Sequence, residues 1–205
     1  MSRSLRVVPF LLLSLAAPAM AQTTMAGMNG MGGSSTAADT AQLTRIKTVL
    51  DKYRDPIVAV RDGYFSTVAC IEFPHGEEGA MGYRPGGMGV HFLNMNNVGP
   101  QLDTLRPQVL IYQPVGDSLR LVAAEWFMPT QLSAQPPVIF GRALDGPMEG
   151  HAPIMTADMH HWDLHVWLWK NNPNGIFHPT NPTVACPARG RYTVRGAPPR
   201  VVTQD

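Results

Sequence analysis

Residues 147–174 read PMEGHAPIMTADMHHWDLHVWLWKNNPN and hold four of the seven histidines and three of the four tryptophans of the chain. The Trp and Val content of residues 160–169, followed by a Pro-Asn-Gly turn, favours a β-strand over a helix. Alternation along such a strand would place one apolar set on the same face: Trp162, Leu164, Val166 and Leu168. The other face would carry His161, Asp163, His165, Trp167 and Trp169. The stretch therefore predicts a sheet with one core face and one polar, aromatic face.

Strand geometry limits which of these side chains can share a metal ion. Same-face neighbours lie roughly 6.6 Å apart, so Asp163 can join either His161 or His165 on one ion, whereas the two histidines are roughly 13 Å apart. On a helix, the alternative, the HxxxH spacing would bring both histidines to one face. Asp163 can also act indirectly, by accepting the ring N–H of a ligating histidine. The His161-Trp162-Asp163 triplet has the HxD spacing of non-haem iron sites, a weak signal by itself.

Two more polar residues fall on predicted strands. His91 interrupts the apolar run Val90–Leu93, and Glu125 lies on the second strand of a predicted hairpin, residues 108–128. On that strand one face would carry Leu119, Leu121, Ala123, Glu125 and Phe127. Burial of Glu125 would require a cation, a histidine or a metal as partner, whereas a position at the wet end of the strand would require none.

These residues define a candidate site with two interpretations. In the first, a transition metal (Zn, Cu or Fe) binds to His91, Glu125, His161, Asp163 and His165. A small ligand would then contact His151, Trp167 and Trp169. An ion held by only three protein groups would keep an open position, as in metal-dependent hydrolases and oxygenases. In the second, the His and Trp residues form a polar surface of a non-enzymatic interaction module.

The N-terminal part of the domain is predicted to be helical. Leu43, Ile46, Val49, Leu50 and Tyr53 recur at helical spacing. Pro56 interrupts the pattern, and a short second helix would follow over residues 57–60. Strands at 64–73 and 90–93 and the hairpin complete an α+β fold, with one or two helices packed on a mostly antiparallel sheet. The 19 Gly and 19 Pro predict a loop-rich chain.

The first residues predict export. A basic start, about eleven apolar residues from Val7 to Ala17 and small residues before position 22 are typical of a signal peptide that spans residues 1–21. The run is too short for a stable membrane span. Residues 22–38 are rich in Met, Gly and Ser and are predicted to be a disordered tail, so one globular domain spans residues 39–205. Met25, Met28 and Met31 in that tail are soft donors of the kind that bind Cu(I), a spacing that composition alone also explains.

Charge and cysteine content narrow the class of protein. Without Arg3 and Arg6, the 16 basic residues become 14 against 15 acidic ones, with no basic block, which argues against nucleic acid as a partner. A metal ion or a small molecule remains the expected partner. Cys70 and Cys186 form an even pair in an exported chain and are predicted to form a disulfide. The location would be periplasmic or extracellular.

Several segments carry a resemblance. They include Gly87-Met88-Gly89-Val90-His91, Asp145-Gly146-Pro147-Met148, the run WDLHVWLWKNNPNGIF over residues 162–177, and Asn181-Pro182 before Cys186. The set resembles a group of bacterial secreted proteins of uncharacterised activity and covers most of residues 50–187. The resemblance implies one coherent secreted domain and no particular reaction.

Overall fold

Strand β8 (His161–Val166) confirms the predicted strand and lies inside an antiparallel sheet. The computed structural model describes residues 37–73, 83–150, 155–156 and 158–188. The other strands in chain order are β1 (Phe65–Phe73), β2 (Gly86–Leu93), β3 (Val109–Val115), β4 (Ser118–Pro129), β5 (Val138–Ile139), β6 (Arg142–Ala143) and β7 (Asp145–Met148). Six of them form a curled sheet in the order β1-β2-β3-β4-β8-β7, while β5 and β6 pair separately. The predicted α+β class is confirmed.

Helices α1 (Ala37–Leu50) and α2 (Pro56–Arg61) pack on one side of this sheet and are linked by a 3-10 turn, Asp51–Arg54. The predicted apolar helix face is buried at Leu43, Ile46, Leu50 and Tyr53. Val49 is 42% exposed, so its predicted place on that face is wrong: the buried stripe is narrower than the sequence pattern. α2 begins at Pro56, and the preceding Asp55 caps it by accepting the N–H of Ile57 at 2.9 Å.

Both faces of the sheet are buried. The side that packs on the helices, named the helix face, carries Val90, Phe92, Leu110, Tyr112, Trp126, Trp162, Leu164 and Val166. The opposite side, named the site face, carries a smaller apolar cluster with Leu93, Val109, Ile111, Phe127, Trp167 and Val184. His91 alternates with Val90 and Phe92, so it points to the site face as the sequence pattern predicts.

A β-bulge on strand β4 changes which residues share a face with Glu125. Ile111 pairs with Ala123, but the next residue, Tyr112, pairs with Leu121, so Val122 is an extra residue on β4. The predicted shared face is therefore wrong in part: Leu119 and Leu121 pack on the helix face, while Ala123 and Phe127 remain beside Glu125. The inserted residue inverts the alternation that the sequence pattern assumes.

Strand β8 ends sooner than the sequence predicts. Beyond Val166 the chain bends, and the backbone N–H of Trp169 reaches Val122 O at 3.1 Å. As a result Trp169 packs on the helix-face core and donates its Nε1–H to Asp51 at 2.9 Å. Its predicted place on the polar face is wrong, because alternation holds only while the strand continues.

The Pro- and Gly-containing segment 130–150 contains three short strands, β5, β6 and β7. The third of them, β7, pairs with β8 through Asp145 to Asp163 and Met148 to His161. β7 contains Gly146 and Pro147, and as an edge strand of the sheet it tolerates both. β7 therefore extends the sheet beside the densest group of polar residues.

The predicted disulfide joins Cys70 on β1 to Cys186, with Cα atoms 5.6 Å apart. It holds the segment 181–186 against the start of β2, and Cys186 N–H donates to Glu72 at 2.7 Å. A Cβ on Gly87 would lie 2.5 Å from Val184 O, so only glycine permits this approach. The segment thereby covers one end of the site face.

Some predictions lie outside the described residues, namely the signal peptide at 1–21, residues 22–36 of the tail predicted at 22–38, and the role of His151. Helix α1 begins at Ala37, two residues before the predicted domain start. Among the described residues, no helix combines the length and the apolar character that a membrane crossing requires.

Candidate metal centre

Three strands deliver three polar side chains to one point on the site face. His91 comes from β2, Glu125 from β4 and His165 from β8, where Glu125 and His165 are direct cross-strand partners. His91 lies three strands away from His165, which in a flat sheet would separate them by roughly 14 Å. The sheet curls, and the two imidazole centroids are 6.2 Å apart with their planes at 88°.

The candidate ligand atoms of these three residues all lie within 4.8 Å of one another. Glu125 Oε2 is 3.5 Å from His91 Nε2 and 3.6 Å from His165 Nε2. Donors bonded to one tetrahedral ion at about 2.1 Å are roughly 3.4 Å apart. The spacing therefore suits a shared metal ion and exceeds that of a good hydrogen bond.

The three side chains are removed from water: His91 is 6% exposed, Glu125 3% and His165 2%. In the part of the chain that the structure describes, Glu125 Oε2 and both ring nitrogens of His165 are buried without a hydrogen bond. A buried polar atom that lacks a partner costs about 1–3 kcal/mol. A bound cation would satisfy two of these atoms, Glu125 Oε2 and His165 Nε2.

Asp163 lies beside this group, two residues before His165 on β8. Its Oδ1 is 4.0 Å from His165 Nδ1, the ring nitrogen opposite the one that faces Glu125. Its Oδ2 is 3.8 Å from His161 Nε2, while His161 Nδ1 is 3.3 Å from Met159 O. Both distances exceed that of a hydrogen bond, so Asp163 acts on the His165 ring through its charge, and neither Asp163 nor His161 belongs to the set of converging ligand atoms.

Burial and charge set the protonation of the group. Burial, followed by the negative charge of Asp163, raises the pKa of Glu125 well above its ordinary value of 4.5. Burial lowers the pKa of His165, an effect that Asp163 opposes and that His178 and His161 reinforce. A neutral imidazole with a free lone pair is the form that binds metals, and a divalent cation would displace the proton from Glu125.

Three neighbours of the site escaped the sequence analysis. Asp145 on β7 pairs with Asp163, and burial together with that negative charge raises the pKa of Asp145 to about 6. Burial and the same acidic groups raise the pKa of Tyr83, whose hydroxyl donates to Met148 Sδ at 3.8 Å. His178 accepts the Thr180 N–H at 3.1 Å. Asp145 belongs to the resembling segment at residues 145–148, but no residue pattern there predicts that it pairs with Asp163.

The tryptophans predicted to contact a ligand have structural surroundings. Trp167 is buried on the site face and donates its Nε1–H to His178 O at 2.7 Å. Trp169 lies on the opposite face, as described above. His151 is outside the described residues. Of the two tryptophans predicted to lie on the polar face beside the histidines, only Trp167 does so.

Two cavities differ in chemistry. The first, about 10 Å³, is lined by the three converging side chains and by Ile71, Leu93, Val109 and Met155. The second, about 370 Å³, opens on the helix side near Tyr53, Asp62 and Arg106. Most polar groups there bond one another, for example Tyr53 to Asp62 at 2.9 Å and Arg106 to Asn97 at 3.0 Å. The second cavity therefore has the character of a structural polar network.

No protein-family model, curated protein or solved structure matches this chain. The assignment of the site accordingly depends on its own geometry and chemistry.

Proposed function

We propose that this protein binds one transition-metal ion through His91, Glu125 and His165, with the charge of Asp163 acting on the His165 ring. The observation that carries the proposal is the arrangement around Glu125 Oε2. This buried oxygen has no hydrogen bond within the described residues, and it lies 3.5 Å and 3.6 Å from two imidazole nitrogens. A metal ion at about 2 Å from each atom fits this gap better than a proton does.

Charge balance supports the same assignment. The negative charge of Asp163 raises the pKa of both Glu125 and Asp145, so three acidic groups lie near one another on one sheet face. Isolated buried carboxylates are expensive, and the positive charge of Arg142 offsets only part of the effect on Asp145, whose pKa remains raised. A divalent cation would offset this negative charge.

The ligand set narrows the choice of metal. Two imidazoles and one carboxylate hold zinc in hydrolases and Fe(II) in oxygenases, and imidazoles also suit copper. With three protein ligands, an ion keeps open positions at which water or oxygen can be activated. A metal-dependent hydrolase or oxygenase is therefore the enzymatic form of this proposal.

The competing interpretation was a His and Trp surface that meets a partner. Such a surface requires exposure, but His161, His165 and Trp167 are at most 3% exposed. Burial thus favours the metal site over the interaction module.

Export fits the proposal. Disulfides persist in oxidising compartments, and Cys70–Cys186 is such a bond. Together with the signal-like residues 1–21, this supports a location in the periplasm or outside the cell, as the resemblance to secreted proteins also implies.

The test is metal analysis of protein purified from periplasm without chelators or a His tag, followed by titration with Zn²⁺, Fe²⁺, Co²⁺ and Cu²⁺. We expect about one ion per chain, and we expect His165→Gln to abolish it. His161→Gln is the matched control, since His161 is equally buried on the same strand but outside the converging set. Failure of the unmodified protein to bind any of these ions above micromolar affinity, or equal loss in both variants, would contradict the proposal.

A further inference from the structure

The small cavity beside the proposed metal site combines polar and apolar walls. Its polar wall is the set of three proposed ligands, and its apolar wall consists of Ile71, Leu93, Val109 and Met155. These four side chains offer no strong hydrogen-bond donor or acceptor. Among the described residues that line the cavity, strong polar partners for an entering molecule are therefore confined to the proposed ligands and their ion.

The volume of this cavity limits what can enter. About 10 Å³ is close to the space that one water molecule needs. Ile71, Leu93 and Val109 are between 3% and 4% exposed and belong to the packed sheet, so this wall cannot yield cheaply.

From this geometry we infer that the metal site, if it forms as proposed above, accepts only compact ligands of roughly one to three heavy atoms. This class includes water, dioxygen, nitric oxide and azide. Ring-sized and larger ligands are excluded from the metal by the apolar wall. The substrate class thus favours activation of a small molecule over direct coordination of a large organic substrate.

Met155 forms the outermost part of that wall. At 9% exposure it is the most accessible of the four apolar side chains. A Cβ on Gly150 would overlap with Met155 and Thr156, so the chain at Gly150 packs tightly against these residues. This contact holds Met155 at the cavity, and its long, flexible side chain sets the size limit.

The experiment uses the full protein loaded with Co²⁺, whose visible absorption reports a change of ligands. Azide, a rod of three atoms, is compared with imidazole, a neutral five-membered ring. An apolar wall favours the neutral ligand on electrostatic grounds, so exclusion of imidazole must be steric. We expect azide to change the spectrum at millimolar concentration and imidazole to leave it unchanged.

Met155→Ala should lower the ratio of the imidazole Kd to the azide Kd about ten-fold or more, which corresponds to about 1.4 kcal/mol. Met155→Leu, which preserves volume, should retain the wild-type ratio. Leu93→Ala enlarges the cavity from another side and serves if Met155→Ala fails to fold.

Each outcome has one meaning. If the wild-type Co²⁺ protein binds imidazole as well as azide, or binds neither, the inference is overturned while the metal site stands. A ratio that both enlarging variants leave unchanged also overturns it. Failure to take up Co²⁺ or any of the other three ions titrated above removes the proposed metal site, and the inference with it.

Discussion

Replacement of Glu125 by Gln should separate metal binding from folding. Gln has nearly the same shape as the protonated acid that burial favours at this position, and it removes an acid whose pKa burial raises, so the metal-free variant should fold and be at least as stable as the wild type at neutral pH. The metal loses the anionic ligand that lies 3.5 Å and 3.6 Å from the two histidines. Stability in the presence of metal, and not stability alone, is therefore the quantity to measure.

The magnitude follows from linkage. At a free metal concentration of 1,000 times the wild-type Kd, binding stabilises the folded protein by about 4.1 kcal/mol. For a domain of this size that corresponds to a rise in Tm of roughly 8–16 °C. Changes to outer-shell partners weaken metal affinity about 10–100-fold, so loss of a direct ligand should weaken it about 1,000-fold. At the same metal concentration the variant would then gain only about 0.4 kcal/mol.

The assay is thermal unfolding followed by calorimetry, with and without the metal identified by elemental analysis. Without metal we expect the Tm of the variant to equal or exceed that of the wild type, and with metal we expect a large shift for the wild type alone. A metal-induced shift of the same size in Glu125→Gln would refute the assignment of Glu125 as a ligand. A large fall in the metal-free Tm would refute the argument that Glu125 is held as a neutral acid.

Three further predictions concern residues around the site. Asp163→Asn should weaken metal affinity about 10–100-fold, because the carboxylate beside His165 loses its charge while the side-chain volume stays the same. Competition with a chelator measures the affinity, and an unchanged value would contradict this role. In the metal-free protein, Asp145 has a folded-state pKa of about 6 against 3.8 ordinarily, so the folded state binds the proton more tightly and stability falls as the pH rises from about 4 to about 6. Asp145→Asn should then raise the free energy of unfolding at pH 7 by up to about 3 kcal/mol and change it little at pH 4. Urea denaturation at both pH values measures the free energy of unfolding, and an equal effect of the substitution at both would contradict the prediction. Replacement of Cys70 and Cys186 by Ser should lower the free energy of unfolding by roughly 4–5 kcal/mol, since the bridge spans 116 residues; a loss below about 1 kcal/mol in urea denaturation would show that the bridge adds little.

The sequence predicted the local features of the site strand and missed what depends on pairing. Trp162, Leu164 and Val166 lie on the helix face as alternation requires, because a strand fixes the direction of each side chain locally. The bulge at Val122 depends on how β4 pairs with β3, and no residue type within β4 indicates its position. Likewise, Trp169 was predicted on the wrong face because β8 ends at Val166, and tertiary contacts determine where that strand ends.

The grouping of His91 with Glu125 and His165 was open to prediction only as a hypothesis. The sequence put His91, Glu125 and His165 on strands able to pack beside one another, and a buried Glu125 demanded a partner. Their meeting requires the curl of the sheet, since a flat sheet would keep His91 and His165 roughly 14 Å apart. Asp163 illustrates the same limit: the sequence allowed it to be a ligand or an orienting residue, and its position outside the converging set of ligand atoms disfavours the first.

The stability of the fold and the chemistry of the site are in tension on the site face. Burial raises the pKa of both Glu125 and Asp145, so at neutral pH the metal-free fold bears the cost of an acid that is either protonated or poorly solvated. The disulfide acts largely on the unfolded chain and stabilises the protein whether or not metal is bound. It also anchors the segment that covers the end of the site face through Gly87 and Val184. The metal-free chain can thus remain folded with its ligands already converged, and the metal would bind to a preformed site.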